Sequence, residues 1–278
     1  MRPAPFGSRL GGCHTTTGEH LIETWFGMTL PLLVLSALVM LGAGVVRGYT
    51  GFGSSAVAVG TLAIVMSPAR IVPVMYLMEI AASVTLIPAI RQHIDWHWLR
   101  PLAIANLIAT PVGVWILSRF DAAALRLMVA LSLLALSLVL LSGWSRAPTG
   151  RPAGAPLRWA TGGLSGIMSG IAAIGGLSVA AIFLLTGVAA SQLRATMVAL
   201  LLIMDVWAFA LSYAGGIVHW HTLALFVLMA PAMMTGIRLG HRLFKRDAAR
   251  HGSDGKFRRR VSWLLLAIAA AGLVRMAL

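Results

Sequence analysis

The sequence predicts an all-α, polytopic membrane protein, and three observations carry the prediction. The 278 residues are 59% hydrophobic and only 11% charged, with a mean hydropathy of +0.87. A soluble domain carries roughly 25% charged residues, so this chain lacks the polar groups to cover a water-facing surface. Apolar runs of membrane-crossing length recur along it. Arginines crowd into the short gaps between those runs, as they do in membrane loops.

The elements follow in order. Residues 1–27 form a polar tail with no basic start, apolar core and small-residue cleavage site of a signal peptide. Met28 directly precedes the first strong apolar run and is an alternative start. Whether the tail belongs to the native protein stays open. Plain spanning runs cover about 72–90, 98–118, 122–143, 192–213, 219–237 and 259–277. Two further apolar regions, 28–67 and 157–189, are interrupted by glycine clusters. The first holds Gly42-Ala43-Gly44 and then Gly48 to Ser55. The second holds Gly162-Gly163, Ser165-Gly166, Ser169-Gly170 and Gly175-Gly176-Leu177-Ser178. Glycine weakens helix by about 1 kcal/mol relative to Ala. The clusters therefore mark a helix break or a close helix contact. Counting each broken region once gives about eight spanning helices, with the broken segments re-entrant or split.

The chain repeats itself. A shift of 124 positions lays Ile94-Asp95-Trp96-His97-Trp98-Leu99 on Val218-His219-Trp220-His221-Thr222-Leu223, and Arg70 on Arg194. One residue less brings Gly53 onto Gly176 and Gly113 onto Gly236. The reading is a tail 1–27, a first transmembrane repeat 28–143, a linker 144–156 and a second repeat 157–278.

Lys and Arg total 22 against 8 Asp and Glu. In a soluble chain this excess suggests nucleic acid; here it reports topology, and no nucleic-acid partner is expected. The loop 238–260 carries nine Lys and Arg, so it is assigned to the cytoplasm. Residues 214–218 carry none and suit the outside. If each broken region enters and returns on one side, Arg91, Arg100, Arg146, Arg151 and Arg158 join the cytoplasmic side. Only Arg119 and Arg126 then face out, and the two repeats have opposite topology. That arrangement is preferred.

Few residues can carry chemistry. Glu79 and Asp205 are the acids well inside the spans, at similar depths in matching segments. An ionisable group near mid-bilayer is costly and marks function by default. A carboxyl there can hold a proton, so both are candidates for proton coupling; a hydrogen-bonded structural carboxyl is the alternative. Arg47, Arg70 and Arg194 stand beside or just after the broken regions. Broken helices expose backbone N–H groups that bind anions, as in transporters. An oxyanion would take further bonds from the hydroxyls of Thr50, Ser54, Ser55, Ser169 and Ser178, and from an arginine fork. The candidate substrate-binding set is Arg47, Gly48, Thr50, Gly51, Gly53, Ser54, Arg70, Ser169, Gly170, Gly175, Gly176, Ser178 and Arg194. For the glycines the competing reading is close packing; for Arg70 and Arg194 it is anchoring at the membrane interface.

Other chemistries are weaker. Cys13 is the sole cysteine, so no intrachain disulfide or cysteine metal cluster forms. His93, His97, His219 and His221 sit at span ends beside tryptophans and read as interfacial anchors. No metal and no cofactor are expected. Gly163-Leu164-Ser165-Gly166 matches the nucleophile site of rhomboid-type intramembrane serine proteases. That enzyme reading needs a histidine within reach of Ser165, and no histidine lies deep in the apolar core. No phosphate loop of the Gly-x-x-x-x-Gly-Lys-[Ser/Thr] type is present, so the chain carries no such ATPase site.

The glycine stretches also carry a resemblance. Gly44-Val-Val-Arg-Gly48-Tyr-Thr-Gly51-Phe-Gly53 and Gly166-Ile-Met-Ser-Gly170-Ile-Ala-Ala-Ile-Gly175-Gly176 resemble the motif that opens each half of the TauE/SafE family of sulfite exporter-like permeases. The resemblance covers about residues 30–277. Ser54 and Leu177 depart from it, where a further glycine is frequent. It implies transport of sulfite, sulfonate, sulfoacetate or related small anions across the bacterial cytoplasmic membrane, and leaves direction open. The expectation is a multi-pass secondary transporter, not an enzyme, working by movement of one half against the other. Its partners are a small-molecule anion and the lipid bilayer, with homo-oligomerisation left open. An anion channel is the alternative.

Overall fold

Helices account for nearly all of what the computed structural model describes, which is residues 29–63, 65–141, 154–185 and 190–251. In order they are α1 (Leu30–Thr50), α2 (Ser54–Leu62), α3 (Pro68–Ile90), α4 (Trp96–Arg119), α5 (Ala122–Leu141), α6 (Ala155–Ala172), α7 (Gly175–Leu185), α8 (Ala190–Ala214) and α9 (Trp220–His251). A short 3-10 turn, Arg91–His93, follows α3. Among the described residues five helices are long and apolar enough to cross a membrane: α1, α3 with its 3-10 turn, α4, α8 and α9. The chain is a polytopic α-helical membrane protein. The expected run 259–277 and the linker residues 144–153 lie outside the described residues.

Glycine breaks the first region where the sequence suggested, but only at its last cluster. Helix α1 runs unbroken through Gly42 and Gly44 and ends at Gly51, whose φ of 87° is the left-handed conformation glycine adopts without strain. Gly53, also at 87°, opens α2. The second break falls inside the expected region, between the Ser169-Gly170 and Gly175-Gly176 clusters. Ala173, at φ 57°, ends α6, and both glycines belong to α7. The left-handed residue of this break is an alanine, for which that conformation is strained.

Both short helices fall well short of a crossing. Nine residues of α2 rise about 13 Å and eleven of α7 about 16 Å, against a hydrocarbon core of about 30 Å. Each doubles back on the helix before it. The Ser165 hydroxyl in α6 donates to Gly175 O in α7 at 2.8 Å, and Gly53 lies against Val46.

The remaining glycines are packing surfaces. The two most extensive helix contacts are α4 with α6 and α1 with α9. A Cβ on Gly44 would overlap Met233 O, one on Gly48 would overlap Ile237 O, and ones on Gly236 and Gly240 would overlap Leu41 O and Val45 O. On the other pair, Gly162, Gly166 and Gly170 press on Leu102, Asn106 and Gly113–Val114. This is small-residue interlock at four-residue spacing.

The same contacts fix helix directions. Rising numbers on α1 meet rising numbers on α9, so the two run parallel, and α6 runs parallel to α4 likewise. Asp95 N–H donates to Thr196 Oγ1, and Trp207 Nε1 donates to Leu107 O, so α8 is parallel to α4. Helix α9 returns antiparallel to α8, bringing His241 beside Arg194. Helices α1 and α6, the first described helix of each half expected from sequence, therefore point in opposite directions. Helices α3 and α8 pack on each other at the centre. Around them lies one buried apolar cluster that includes Phe52, Met75, Met78, Leu102, Phe183 and Met204.

The described part of one expected loop, 238–251 of 238–260, is helical. Residues 238–251 continue α9. They contain Leu, Arg, Lys and Ala, which are good helix formers, and the next breaker is Gly252.

Candidate functional site

Helix α3 carries Tyr76, Glu79 and Ser83 at spacings of three and four, which puts them on one helix face. All three are buried. That face meets the end of α1 and the start of α2. Glu79 Oε2 lies 3.1 Å from Arg47 Nε, and both side chains are within 2% of full burial. The approach is an ion-pair contact without the alignment of a hydrogen bond. The rest of the guanidinium is occupied: Nη1 donates to Gly51 O at 2.5 Å and Nη2 to Ser83 Oγ at 2.6 Å. Glu79 Oε1 accepts from the hydroxyls of Ser54 and, at 2.7 Å, Ser55. Those serines are the first two residues of α2, whose N-cap Gly53 offers no side-chain cap. Two serine hydroxyls at a helix start and a cation thus converge on one carboxylate.

Both helix breaks reach this spot. Gly53, Ser55, Ala56 and Glu79 share a small cavity with Ala173, Ile174, Gly176, Leu177 and Leu201. Its volume of about 10 Å3 leaves room for about one water molecule, so the site is closed in this conformation. Asp205 is fully buried, and neither of its oxygens has a hydrogen-bond partner among the described residues. Its electrostatic neighbours are Glu79, Arg47 and Tyr76. Tyr76 donates to Ser169 O at 2.9 Å and Gly170 O at 2.8 Å, tying α3 to the end of α6.

Of the other sequence candidates, Thr50 donates to Val46 O and Phe52 O and accepts from Phe52 N, so it shapes the first break. Ser178 donates to Gly175 O. The Ser169 hydroxyl is buried without a partner among the described residues. Gly48 and Gly170 are packing glycines, whereas Gly51 and Gly53 form the break and Gly176 lines the cavity. Arg194 belongs to a neighbouring cluster. Its Nη2 donates to Gly48 O at 2.7 Å and lies 3.0 Å from His241 Nδ1, and its guanidinium sits 4.5 Å from the Phe244 ring centroid. Arg70 is half-buried in the first turn of α3, away from the residues lining the cavity.

Sequence reasoning missed Ser83, Tyr76 and Leu201. Ser83 and Tyr76 could have been found from their helical spacing to Glu79. The rhomboid-like Ser165 donates to Gly175 O and lies 3.5 Å from Asn106 Nδ2. No histidine contacts it among the described residues.

Paired long and half-length helices, with buried charges where the breaks meet, define a polytopic membrane protein built around an enclosed polar site. Residues 35–272 match the family described as Sulfite exporter TauE/SafE, and the chain belongs to that family. A protein of Cupriavidus necator described as a probable sulfite/organosulfonate exporter TauE is 33% identical over 156 residues. The match covers 54% of this chain and 59% of that protein's length. No solved structure matches the chain.

Proposed function

We propose that the protein is a secondary transporter of small sulfur oxyanions, such as sulfite, sulfonate or sulfoacetate, across the bacterial cytoplasmic membrane. The observation that carries this reading is the convergence of both helix breaks on one closed cavity beside the buried Arg47. Around that cavity stand the start of α2, the Ser55 hydroxyl and, across Glu79, the Arg47 guanidinium, the kinds of donor an oxyanion would use once the site opens. The family and the Cupriavidus necator relative support the substrate class. The opposed directions of α1 and α6 support two halves of inverted topology, 28–143 and 157–278. The charges on 238–260 favour its cytoplasmic placement. Glu79 and Asp205 are the groups that would couple transport to protons.

The test is uptake of sulfite and of methanesulfonate by proteoliposomes holding the full chain. Saturable flux that accelerates under an imposed pH gradient is the expected outcome. Flux that rises without saturating would mean a channel, and flux indifferent to the gradient would remove proton coupling.

A further inference from the structure

We infer that the Glu79 carboxylate is an internal stand-in for the transported oxyanion, and that a proton on Glu79 releases the site to it. The inference deepens the transporter reading and rests on it. It starts from an oddity of the cluster. A site assigned to an anion already contains one, held by the groups an oxyanion would use. Oε1 takes two serine hydroxyls at the start of α2. Oε2 faces the Arg47 cation at 3.1 Å.

Charge balance decides how the two anions can exchange. With Glu79 ionised, Arg47 is neutralised and the buried pair has no net charge. A second anion added to that pair would be an uncompensated charge in a low-dielectric interior, which is strongly disfavoured. If Glu79 first accepts a proton from the solution that delivers the anion, its carboxyl becomes neutral. Arg47 keeps its charge, and the incoming anion restores neutrality. One proton and one negative charge therefore enter together and leave together. Binding of each favours the other by the same factor, as linkage requires. The ion pair lends itself to exchange: neither Arg47 Nε nor Glu79 Oε2 forms an aligned hydrogen bond. Glu79 also borders the cavity, on the side where the two breaks meet.

The charged and titratable neighbours are few. Arg47 faces Glu79 from α1, Asp205 acts on it from α8, and Arg194 acts on Arg47 from the start of α8. Tyr76, on the same helix as Glu79, is a neighbour of Asp205. Among the described residues Asp205 is the acid that rivals Glu79 for the proton, so the experiment must separate the two.

The probe is methanesulfonate, whose charge stays fixed while sulfite itself titrates. It is added to the purified full chain in weakly buffered detergent with a pH indicator, and binding is followed in parallel by calorimetry. The wild type is expected to take up about one proton per anion bound, and its affinity to fall about tenfold per pH unit once Glu79 is ionised in the free protein. Glu79→Gln, a neutral isostere, should bind with no proton uptake and with an affinity flat in pH; Asp205→Asn should keep the uptake. Binding by the wild type without proton uptake overturns the inference, whatever the variants do and even if they fail to fold. So does uptake that persists in Glu79→Gln or vanishes in Asp205→Asn. If neither methanesulfonate nor sulfite binds or is transported, the transporter reading itself fails, which is a different result from binding without a proton.

Discussion

Arg47 has no exposed surface, and among the described residues its acidic partner is Glu79. Replacing one member of such a pair leaves the other charge buried alone, which costs about 3–5 kcal/mol. Arg47→Gln is therefore expected to lower the thermal unfolding temperature in detergent sharply. Adding Glu79→Gln to it should recover much of that loss. A double variant no more stable than Arg47→Gln would show that the pair is not energetically coupled. Arg47, Glu79 and Asp205 were legible as charges placed in apolar sequence. Their partnership was not, because Arg47 and Glu79 sit on different helices and only folding brings them together. Ser83 and Tyr76 were legible in principle, since they share a helical face with Glu79. The Ser169 hydroxyl was named from sequence, but that it stays unpaired in the described residues needed the structure.

At the level of the element, glycine plays two physical roles that composition cannot separate. Gly51 and Gly53 supply positive φ, whereas Gly44, Gly48, Gly236 and Gly240 supply room for another backbone. Hence the first break could be read from sequence within a few residues. The second was legible as a region, but not its residue, because Ala173 rather than a glycine takes the left-handed conformation that ends α6. The two roles give opposite outcomes for neighbouring substitutions. A Cβ at Gly42 meets nothing within 4 Å, while one at Gly44 collides with Met233 O. Gly42→Ala should raise stability by about 0.5–1 kcal/mol by improving helix propensity. Gly44→Ala should lower it by about 1–3 kcal/mol through overpacking. Unfolding midpoints of the two variants in the same detergent check the pair. The helical stretch to His251 was hidden for another reason: its arginines and lysines were read as a loop, yet they are good helix formers.

The whole molecule has its own prediction. With α1 and α6 opposed and the basic residues assigned to the cytoplasm, Gln92 and Ala155 should face inward, and Phe120 and Tyr213 outward. In a Cys13→Ser background, cysteines at Phe120 and Tyr213 should react with an impermeant thiol reagent added to intact cells. Cysteines at Gln92 and Ala155 should react only after permeabilisation. Labelling of all four from outside would refute the inverted arrangement. The matched segments in sequence suggested two halves, but they carried no information on how those halves would hold each other. Helix α1 is interlocked with α9 and α6 with α4, so each sequence half is pinned to the other, and a simple rocking of half against half would tear both contacts. The order of synthesis meets the same fact. Gly44 and Gly48 lie roughly 190 residues upstream of the glycines that cover them, which at ordinary elongation rates is a delay of about 10–40 s. For that interval α1 stands in the membrane with its notch open. The protein acquires its first helix early and can seat it only when α9 arrives.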